Sequence, residues 1–198
     1  MEKQTQKRLF FYGAHYVFIS INNGYSIEIN DRGEDMLAYV WAEDESQLIG
    51  KDDQLPWRLP ADVKFFKDVT MRGDVVMGRS TYETIPNRPL KDRRNIVLTH
   101  QEDYDARGAI VVHSKDEILK LHEDSSEDFY IIGGATLFEL FKDEVDELYR
   151  TVIHDTFDGD TYFPGDFDYS KFERVKYWSG VVDDKNKYPH TFEVWKRV

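Results

Sequence analysis

Asp62 is the residue whose surroundings most favour chemistry. It begins a segment with helical spacing in which positions 62, 66 and 69 share one face, so the carboxylate lies in line with Phe66 and Val69. A carboxylate in an apolar cleft has a raised pKa and can bind or relay a proton. Taken alone, Asp62 fits a solvated acidic residue in a first helical turn better than a proton-handling group. The preceding loop, which carries Trp57, favours the proton-handling interpretation.

A second group of residues that could bind a ligand follows a short apolar run. It is Gly78-Arg79-Ser80-Thr81. A glycine lets a ligand approach the backbone, and a helix N-terminus beside an arginine and two hydroxyls is suited to phosphate. The same residues fit a capping box between Ser80 and Glu83 with a surface arginine, and both interpretations stay open.

A third group, Gly133-Gly134-Ala135-Thr136, also joins an apolar run to a helical segment. Its spacing differs from the GxGxxG dinucleotide fingerprint. Two adjacent glycines can expose bare backbone to a pyrophosphate, or they can simply form a tight turn.

Three arginines, at positions 88, 93 and 94, form a basic cluster in an acidic chain. An arginine in a loop before a strand can clamp a carboxylate with two hydrogen bonds. The alternative is a surface role in solubility, which we favour for Arg94. The six histidines are scattered, without HExxH or comparable spacing, so no metal site is predicted. GxSxG and Walker A patterns are also absent from the sequence.

The elements that must position these groups alternate between strand and helix. Strands are predicted at 37–42, 75–77, 95–98, 109–112, 129–132, 148–157, 172–179 and 191–198, and helices over 62–69, from Ser80, from Ser114 with a second capping box, and from Ala135 to about Phe141. This order predicts a single-domain α/β fold: a central mixed, mostly parallel sheet flanked by helices, with a C-terminal antiparallel hairpin. The turns at 42–62, 77–81 and 132–136 should converge on one crevice at the carboxyl ends of the strands.

Composition restricts the class of protein. The chain has 198 residues, of which 40% are hydrophobic and 15% aromatic, enough for one packed domain. The net charge of −12 argues against a general nucleic-acid or membrane-surface binder. With no cysteine, disulfides, thiol catalysis and cysteine-ligated metals are excluded. We expect a cytoplasmic protein.

The first 35 residues differ in character from the rest of the chain. The apolar stretch 9–21 follows basic residues as in a signal peptide, but it lacks a cleavage pattern and is too short to span a bilayer. The polar stretch 30–35 suggests that residues 1–35 precede a domain at 36–198, with Met36 as the natural start. The alternative is an added hairpin with strands at 16–21 and 25–29.

Together these segments resemble the dihydrofolate reductase family, in its bacterial chromosomal type. The resemblance covers 36–198 and rests on five ordered motifs: Leu48-Ile49-Gly50-Lys51 with Leu55-Pro56-Trp57-Arg58-Leu59-Pro60-Ala61-Asp62; Val76-Met77-Gly78-Arg79-Ser80-Thr81-Tyr82-Glu83; Arg88-Pro89-Leu90 through Arg93 and Asn95; Ile132-Gly133-Gly134-Ala135; and Gly159-Asp160-Thr161.

The resemblance implies an NADPH-dependent enzyme of one-carbon metabolism that reduces 7,8-dihydrofolate to tetrahydrofolate, with NADPH carrying the hydride. It implies a catalytic set of Asp62, Trp57 and Thr151, in which Asp62 helps to deliver a proton to N5 of the pterin and Thr151 supports Asp62. Phe66 and Leu90 would wall the substrate and Arg93 would pair with its glutamate tail. Val40, Ala42 and Ile132 would contribute backbone contacts near the ring junction.

For the cofactor, the resemblance implies that the 133–136 turn meets the pyrophosphate, helped by Ser80 and Thr81. Arg79 and His100 would hold the 2′-phosphate, with Thr99 at the adenine side and His113 near that rim. Ile49 and Gly50 would touch the nicotinamide from a lid at 43–57, which Asp160 would brace. The full cofactor set is Ala42, Ile49, Gly50, Arg79, Ser80, Thr81, Thr99, His100, His113, Gly133, Gly134, Ala135 and Thr136.

Three positions depart from the common family pattern: Ala135 replaces a third glycine, Pro86-Asn87 replaces a single glycine, and Leu55 stands where methionine is common. None lies on the proton or hydride path. The resemblance further implies sensitivity to antifolate inhibitors and a monomer without nucleic-acid or membrane partners. Two alternatives stay open: a reductase of the same fold acting on another pterin-like substrate, and a non-catalytic nucleotide-binding module.

Overall fold

The computed structural model describes residues 35–198 completely and, before them, the backbone of three strands. These strands, β1 (Leu9–Phe11), β2 (Tyr16–Ile21) and β3 (Tyr25–Asn30), form an antiparallel sheet in chain order. The β2–β3 pairing agrees with the hairpin alternative. The chain divides into the units Met1–Asp35 and Met36–Val198. The polar stretch at 31–34 and parts of the apolar stretch lie outside the described residues, so the start at Met36 stays a prediction.

The second unit alternates strands and helices. Its helices are α1 (Pro60–Thr70), α2 (Arg79–Thr84), α3 (Lys115–Glu123) and α4 (Ala135–Leu140), with a 3₁₀ turn at Tyr169–Lys171. Its strands are β4 (Leu37–Asp44), β5 (Leu48–Gly50), β6 (Asp74–Gly78), β7 (Asn95–Leu98), β8 (Ile110–Val112), β9 (Phe129–Ile131), β10 (Glu147–Ile153), β11 (Thr161–Tyr162), β12 (Phe172–Ser179) and β13 (His190–Arg197).

An eight-stranded sheet organises this unit, in the order β12-β13-β10-β4-β9-β6-β7-β8. The run from β10 to β8 is parallel, and β13 pairs antiparallel with both β10 and β12. The predicted α/β architecture, with its mostly parallel sheet and C-terminal antiparallel pair, is therefore confirmed.

Helices cover both faces of the sheet. Neighbouring residues of a strand point to opposite faces, and in β4 Tyr39 and Val40 enter different apolar clusters. Phe65 of α1 packs in the Val40 cluster, whereas Phe138 of α4 packs in the Tyr39 cluster. Because β4 is buried on both faces, it reads as a continuous apolar run rather than an alternating one.

Two local predictions are wrong. The helix after β6 is not capped by Ser80: it begins at Arg79, with Gly78 as the N-cap and no side-chain cap. The strand predicted over 148–157 ends at Ile153, and Phe157 instead donates its N–H to Oδ2 of Asp44 at 2.8 Å. By contrast, the capping box at Ser114 is confirmed, since its hydroxyl accepts the Glu117 N–H.

A small two-stranded sheet, absent from the predictions, lies beside the main one and joins β5 to β11. Both strands are too short to give a periodic signal. Among the described helices, none combines the length and apolar character needed to cross a lipid bilayer.

Candidate active site

A crevice of about 1160 Å³ opens where strands β4, β9, β6 and β7 end. Parallel strands place their carboxyl ends at one edge of the sheet, where the connecting loops leave room for a ligand. The three predicted turns contribute Ala42 and Gly50, Gly78 with Thr81, and Ile132 with Thr136 to its walls. The volume exceeds the roughly 300–1,000 Å³ of a pocket for one drug-sized ligand, which leaves space for two ligands side by side.

Asp62 is the buried carboxyl on the crevice wall. It is the third residue of α1, and its residue surface is only 8% exposed. Burial raises the pKa of Asp62 from 3.8 to about 6, whereas the nearby Thr151 hydroxyl lowers it by a smaller amount. A carboxyl with this pKa exchanges protons close to neutral pH, as a general acid–base group requires.

Thr151 and Trp57 lie behind the crevice wall and do not line it. Thr151 is fully buried on β10, and Trp57 packs with Ala42, Leu59 and Ile153. Thr151 Oγ1 and Trp57 Nε1 are both buried without a hydrogen-bond partner of standard geometry among the described residues. Such groups are normally satisfied by water or ligand, so the back of the site is suited to ordered water.

Apolar side chains wall the crevice beside Asp62. Phe66 and Leu90 occur there as predicted, together with Val40 and Ile132. Several further lining residues were not predicted: Leu55, Val63, Phe65, Ile85, Leu98, Leu137 and Phe138. Val63 follows Asp62 directly and is 63% exposed, so its helical position alone gave no sign that it borders a ligand.

Arg93 lies off the crevice wall, near the C-terminal end of α1. Its Nη1 donates to Thr70 Oγ1 at 2.5 Å, and the Thr70 hydroxyl donates to the Phe66 carbonyl oxygen. Asn95 fixes the intervening loop, because its side chain accepts the Leu90 N–H and donates to the carbonyl oxygens of Leu90 and Arg93. Arg93 has no ion-pair partner within residues 35–198, so its charge is available to an anionic ligand.

The other two arginines of the predicted cluster have internal partners. Arg94 pairs with the buried carboxylate of Asp74 through two nitrogens, which is a structural role rather than the solubility role favoured above. Arg88 donates to the Glu83 carbonyl oxygen at 2.7 Å and lies over the Tyr82 ring.

The two glycine turns meet at the floor of the crevice. The Gly78 N–H donates to the Gly133 carbonyl oxygen at 2.9 Å. A Cβ at Gly134 would lie 3.4 Å from Thr81 Oγ1, and Gly133 has φ +125°, a conformation that favours glycine. Beyond them, Ala135 and Thr136 line the crevice at the start of α4, where backbone N–H groups lack intrahelical acceptors.

Arg79 and Ser80 line the far part of the crevice beside Thr99 and His100. Since α2 begins at Arg79, this guanidinium reaches Glu83 one turn later at 3.0 Å. His113 lies off the wall, and its Nδ1 is 2.8 Å from the Thr99 carbonyl oxygen, behind that rim. This end therefore combines a cation, two hydroxyls and a histidine, a set suited to phosphate.

The loop between β4 and α1 covers one side of the crevice. Ile49 and Gly50 line the crevice as predicted, and Asp53, Gln54 and Leu55 of the same loop also line it. Asp160 accepts the Asp52 N–H at 3.0 Å, so its predicted bracing contact is confirmed. Asp44 anchors the start of the loop by accepting the Leu48 N–H at 2.9 Å, and such hydrogen bonds lower the pKa of Asp44.

No group of three acidic or histidine side chains is arranged to hold a metal ion in the part of the chain that the structure describes.

Comparisons with known proteins agree with this geometry. The family model "Dihydrofolate reductase" matches residues 36–197. The dihydrofolate reductase of Lactococcus lactis is 41% identical over 165 residues, 82% of this chain and 98% of that protein. The dihydrofolate reductase of Enterococcus faecium is 43% identical over 164 residues, again 82% of this chain and 98% of that protein.

A solved structure gives the same result. The dihydrofolate reductase from Enterococcus faecalis, complexed with NADP(H) and RAB-propyl, superposes with a TM-score of 0.79 at 47% identity, covering 82% of this chain and 96% of that one. A buried acid and two joined glycine turns in one crevice, a family match over residues 36–197 and relatives above 40% identity lead to one conclusion. The chain belongs to the dihydrofolate reductase family.

Proposed function

We propose that the chain reduces 7,8-dihydrofolate to 5,6,7,8-tetrahydrofolate with NADPH as the hydride donor, and that Asp62 assists delivery of the proton to N5. One observation carries the proposal: a carboxyl with a pKa raised to about 6 by burial shares a single crevice with the joined glycine turns of β6 and β9. The first feature fits proton transfer to a ring, and the second fits a dinucleotide.

The residues at the crevice floor fit NADPH. Gly134, Ala135 and Thr136 line the crevice, where their peptide groups would meet a pyrophosphate, and the φ of +125° at Gly133 favours a residue without a Cβ. Arg79 and His100 supply the charge and hydrogen bonds for the 2′-phosphate that distinguishes NADPH from NADH. When bound, NADPH supplies the hydride for C6 of the pterin.

Asp62 performs two tasks in this proposal. Its carboxylate orients the pterin by accepting hydrogen bonds from the 2-amino and ring N–H groups. Its raised pKa also makes it a proton source near neutral pH, with a water molecule carrying the proton to N5. The buried Thr151 hydroxyl supports Asp62 from β10, and Trp57 packs behind the crevice wall against Ala42.

The other residues of the site bind the substrate or keep water out of the crevice. Phe66 and Leu90 pack on the substrate rings, and Arg93 takes the carboxylate of the glutamate tail with two hydrogen bonds. The loop that carries Ile49 and Gly50 acts as a lid over the nicotinamide and excludes water during hydride transfer.

A steady-state assay tests the function. Dihydrofolate added to the protein and NADPH should cause loss of the absorbance of reduced nicotinamide, and tetrahydrofolate should accumulate in equal amount. An NADPH-binding protein without this loss would instead be a nucleotide-binding module. Turnover of dihydropterin equal in kcat/KM to that of dihydrofolate would favour a reductase of another pterin, since such a substrate does not use Arg93.

We further propose that the enzyme is a cytoplasmic monomer that binds antifolate inhibitors, and that residues 1–35 are an extension outside the catalytic domain. The net charge of −12 supports the lack of nucleic-acid partners. The division of the chain at Asp35 and the family match from residue 36 support the domain boundary. A chain that starts at Met36 should keep its kcat, sedimentation should give the monomer mass, and N-terminal analysis of the natural protein tests the start.

A further inference from the structure

The first turn of α1, the helix that carries Asp62, lacks a cap of its own. Its N-cap residue is Leu59, whose side chain has no hydrogen-bonding group, and Pro60 at the first helical position has no N–H. Asp62 and Val63 donate their N–H groups to the Leu59 carbonyl oxygen at 3.0 and 3.2 Å. The Ala61 N–H is therefore the donor of this turn that needs an acceptor from elsewhere.

Asn186 supplies that acceptor. Its Oδ1 accepts the Ala61 N–H at 2.8 Å, although the two residues are 125 positions apart in the chain. Asn186 lies in the loop between β12 and β13, which reaches across to the N-terminus of α1. The cap therefore comes from a distant loop, and it acts on the residue immediately before Asp62.

Asp183 holds the Asn186 side chain in the orientation that capping requires. Its Oδ1 accepts the Asn186 Nδ2–H at 3.0 Å and the backbone N–H groups of Asn186 and Lys185 at 2.7 and 2.9 Å. The ionised Asp183 carboxylate can only accept a hydrogen bond, and the Ala61 N–H can only donate one. The Asn186 side-chain amide therefore satisfies both groups in one orientation, with Nδ2 towards Asp183 and Oδ1 towards Ala61. Hydrogen bonds within the loop therefore fix the Asn186 amide.

The same loop also supports the segment that precedes α1. Tyr188 packs edge-on against Phe157, with ring centroids 5.1 Å apart, and Phe157 packs against Trp57 at 5.3 Å. The loop thus contacts α1 directly through Asn186 and Ala61, and it is connected to Trp57, before the helix, through the Phe157 ring.

We propose that Asn186 is a positioning residue for Asp62: by capping α1 from the β12–β13 loop, it holds the first turn of the helix, and with it the carboxyl, inside the apolar crevice. The inference rests on the proposed function of Asp62. It assigns to a residue outside the crevice wall a share in setting the proton affinity of the group on that wall.

Two opposing tendencies act on the first turn of α1. An ionised carboxylate gains free energy by moving into water, so ionisation pulls the first turn of α1 outward. The cap opposes this movement because an uncapped Ala61 N–H would also have to find water. Without the cap the turn opens more readily and the carboxyl becomes more hydrated. Burial raises the pKa of Asp62, the Thr151 hydroxyl lowers it by a smaller amount, and no charged side chain of the described residues contributes. Loss of burial therefore lowers that pKa.

Asn186→Ala tests the inference, with Ser114→Ala as the matched control. Ser114 caps α3, a helix without residues on the crevice wall, so its loss removes a cap of the same kind elsewhere. Amide hydrogen exchange should show faster exchange at Ala61 in Asn186→Ala and unchanged exchange at Ala61 in Ser114→Ala. This readout needs no substrate, so it stands even if the proposed function fails, which the absence of dihydrofolate turnover by the wild type would reveal.

The pH profile of hydride transfer provides the second readout. In Asn186→Ala the apparent pKa should fall by about half to one unit, which above pH 7 corresponds to a loss of about three- to tenfold in rate. Ser114→Ala should lose stability without moving the profile. Asn186→Asp keeps the acceptor and adds a negative charge near Asp62, so its apparent pKa should not fall below that of the wild type.

If Asn186→Ala does not fold, Asp183→Ala provides the same test, because it releases Asn186 without removing its acceptor, and a smaller shift in the same direction is expected. Unchanged exchange at Ala61, or a wild-type apparent pKa in an Asn186→Ala protein that loses as much stability as Ser114→Ala, would overturn the inference. An equal downward shift in Asn186→Asp would overturn it too.

Discussion

The backbone N–H of Asp52 donates a hydrogen bond to Oδ2 of Asp160 at 3.0 Å, joining the loop over the crevice to a residue 108 positions later. The Asp160 carboxylate also accepts a hydrogen bond from the Thr161 hydroxyl, and these hydrogen bonds lower the pKa of Asp160. A charged acceptor directly before β11 thus holds a short segment of the loop that lines the crevice.

Asp160→Ala should loosen the lid. We expect kcat to fall by about three- to tenfold and KM for NADPH to rise, because the loop closes over the nicotinamide less often. Stopped-flow measurement of hydride transfer and of NADPH release checks both effects. Asp158→Ala is the matched control: it removes the exposed ion pair with Lys51 in the same region, a kind of contact that contributes little. Equal effects of the two variants would contradict a specific bracing role for Asp160.

Asp62→Asn should lower kcat by about 10²–10⁴-fold at pH 7, since an amide cannot donate the proton. Activity should recover in part as the pH falls, because substrate protonated in solution no longer needs the carboxyl. A pH–rate profile of the variant checks this. A near-normal rate with a flat profile would show that Asp62 does not handle the proton.

The same variant should be more stable than the wild type above pH 6. The pKa of Asp62 is raised in the folded protein, from 3.8 to about 6, so the folded state binds the proton more tightly than the unfolded chain. Its contribution to stability is complete below pH 4 and is lost as the pH rises through 6. Asp62→Asn should therefore gain up to about 3 kcal/mol at pH 7–8 and nothing at pH 4. Urea unfolding at several pH values measures this, and a pH-independent difference would mean that the carboxyl is hydrated when folded.

Arg93→Leu should raise KM for dihydrofolate by about 10–100-fold, the loss expected for a charged double hydrogen bond, and leave NADPH binding within about twofold. Dihydropterin, which lacks the glutamate tail, is the control substrate and should be turned over alike by both proteins. Lys91→Leu changes an exposed charge in the same loop and should have little effect. An equal loss with both substrates would locate the role of Arg93 in the Thr70 contact instead.

Arg79→Ala should weaken NADPH binding by about 10–100-fold and NADH binding far less, because NADH lacks the 2′-phosphate. Glu83→Gln provides a control of opposite sign. It frees Arg79 from its 3.0 Å partner and should strengthen NADPH binding about twofold, as expected for an exposed pair one helical turn apart. Fluorescence titration with both nucleotides checks these values, and equal weakening of the two by Arg79→Ala would exclude a 2′-phosphate role.

The sequence predicted those parts of the site whose information is local. The strand–glycine–helix turns at Gly78 and Gly133 and the helix that begins near Asp62 are contained in a few consecutive residues. Their convergence follows from the topology of a parallel sheet. For these reasons the main elements, the crevice and its two glycine turns agree with the structure.

What the sequence did not predict depends on distant partners. The pattern around Ser80 matches the one around Ser114, yet only Ser114 caps its helix, because β6 runs directly into α2 at Gly78. The β5–β11 pairing leaves no signal in the local sequence pattern, because two short segments far apart in the chain form it. The contact of Asn186 with Ala61 is of the same kind.

The floor of the crevice is formed by backbone groups, and this affects how readily a mutation could abolish the binding of an inhibitor. A substitution can remove a phenyl or isobutyl group such as that of Phe66 or Leu90, and with it the affinity that an inhibitor draws from that group. No substitution except proline deletes a main-chain N–H, so few point mutations can weaken a molecule that is anchored on the peptide groups from Gly134 to Thr136.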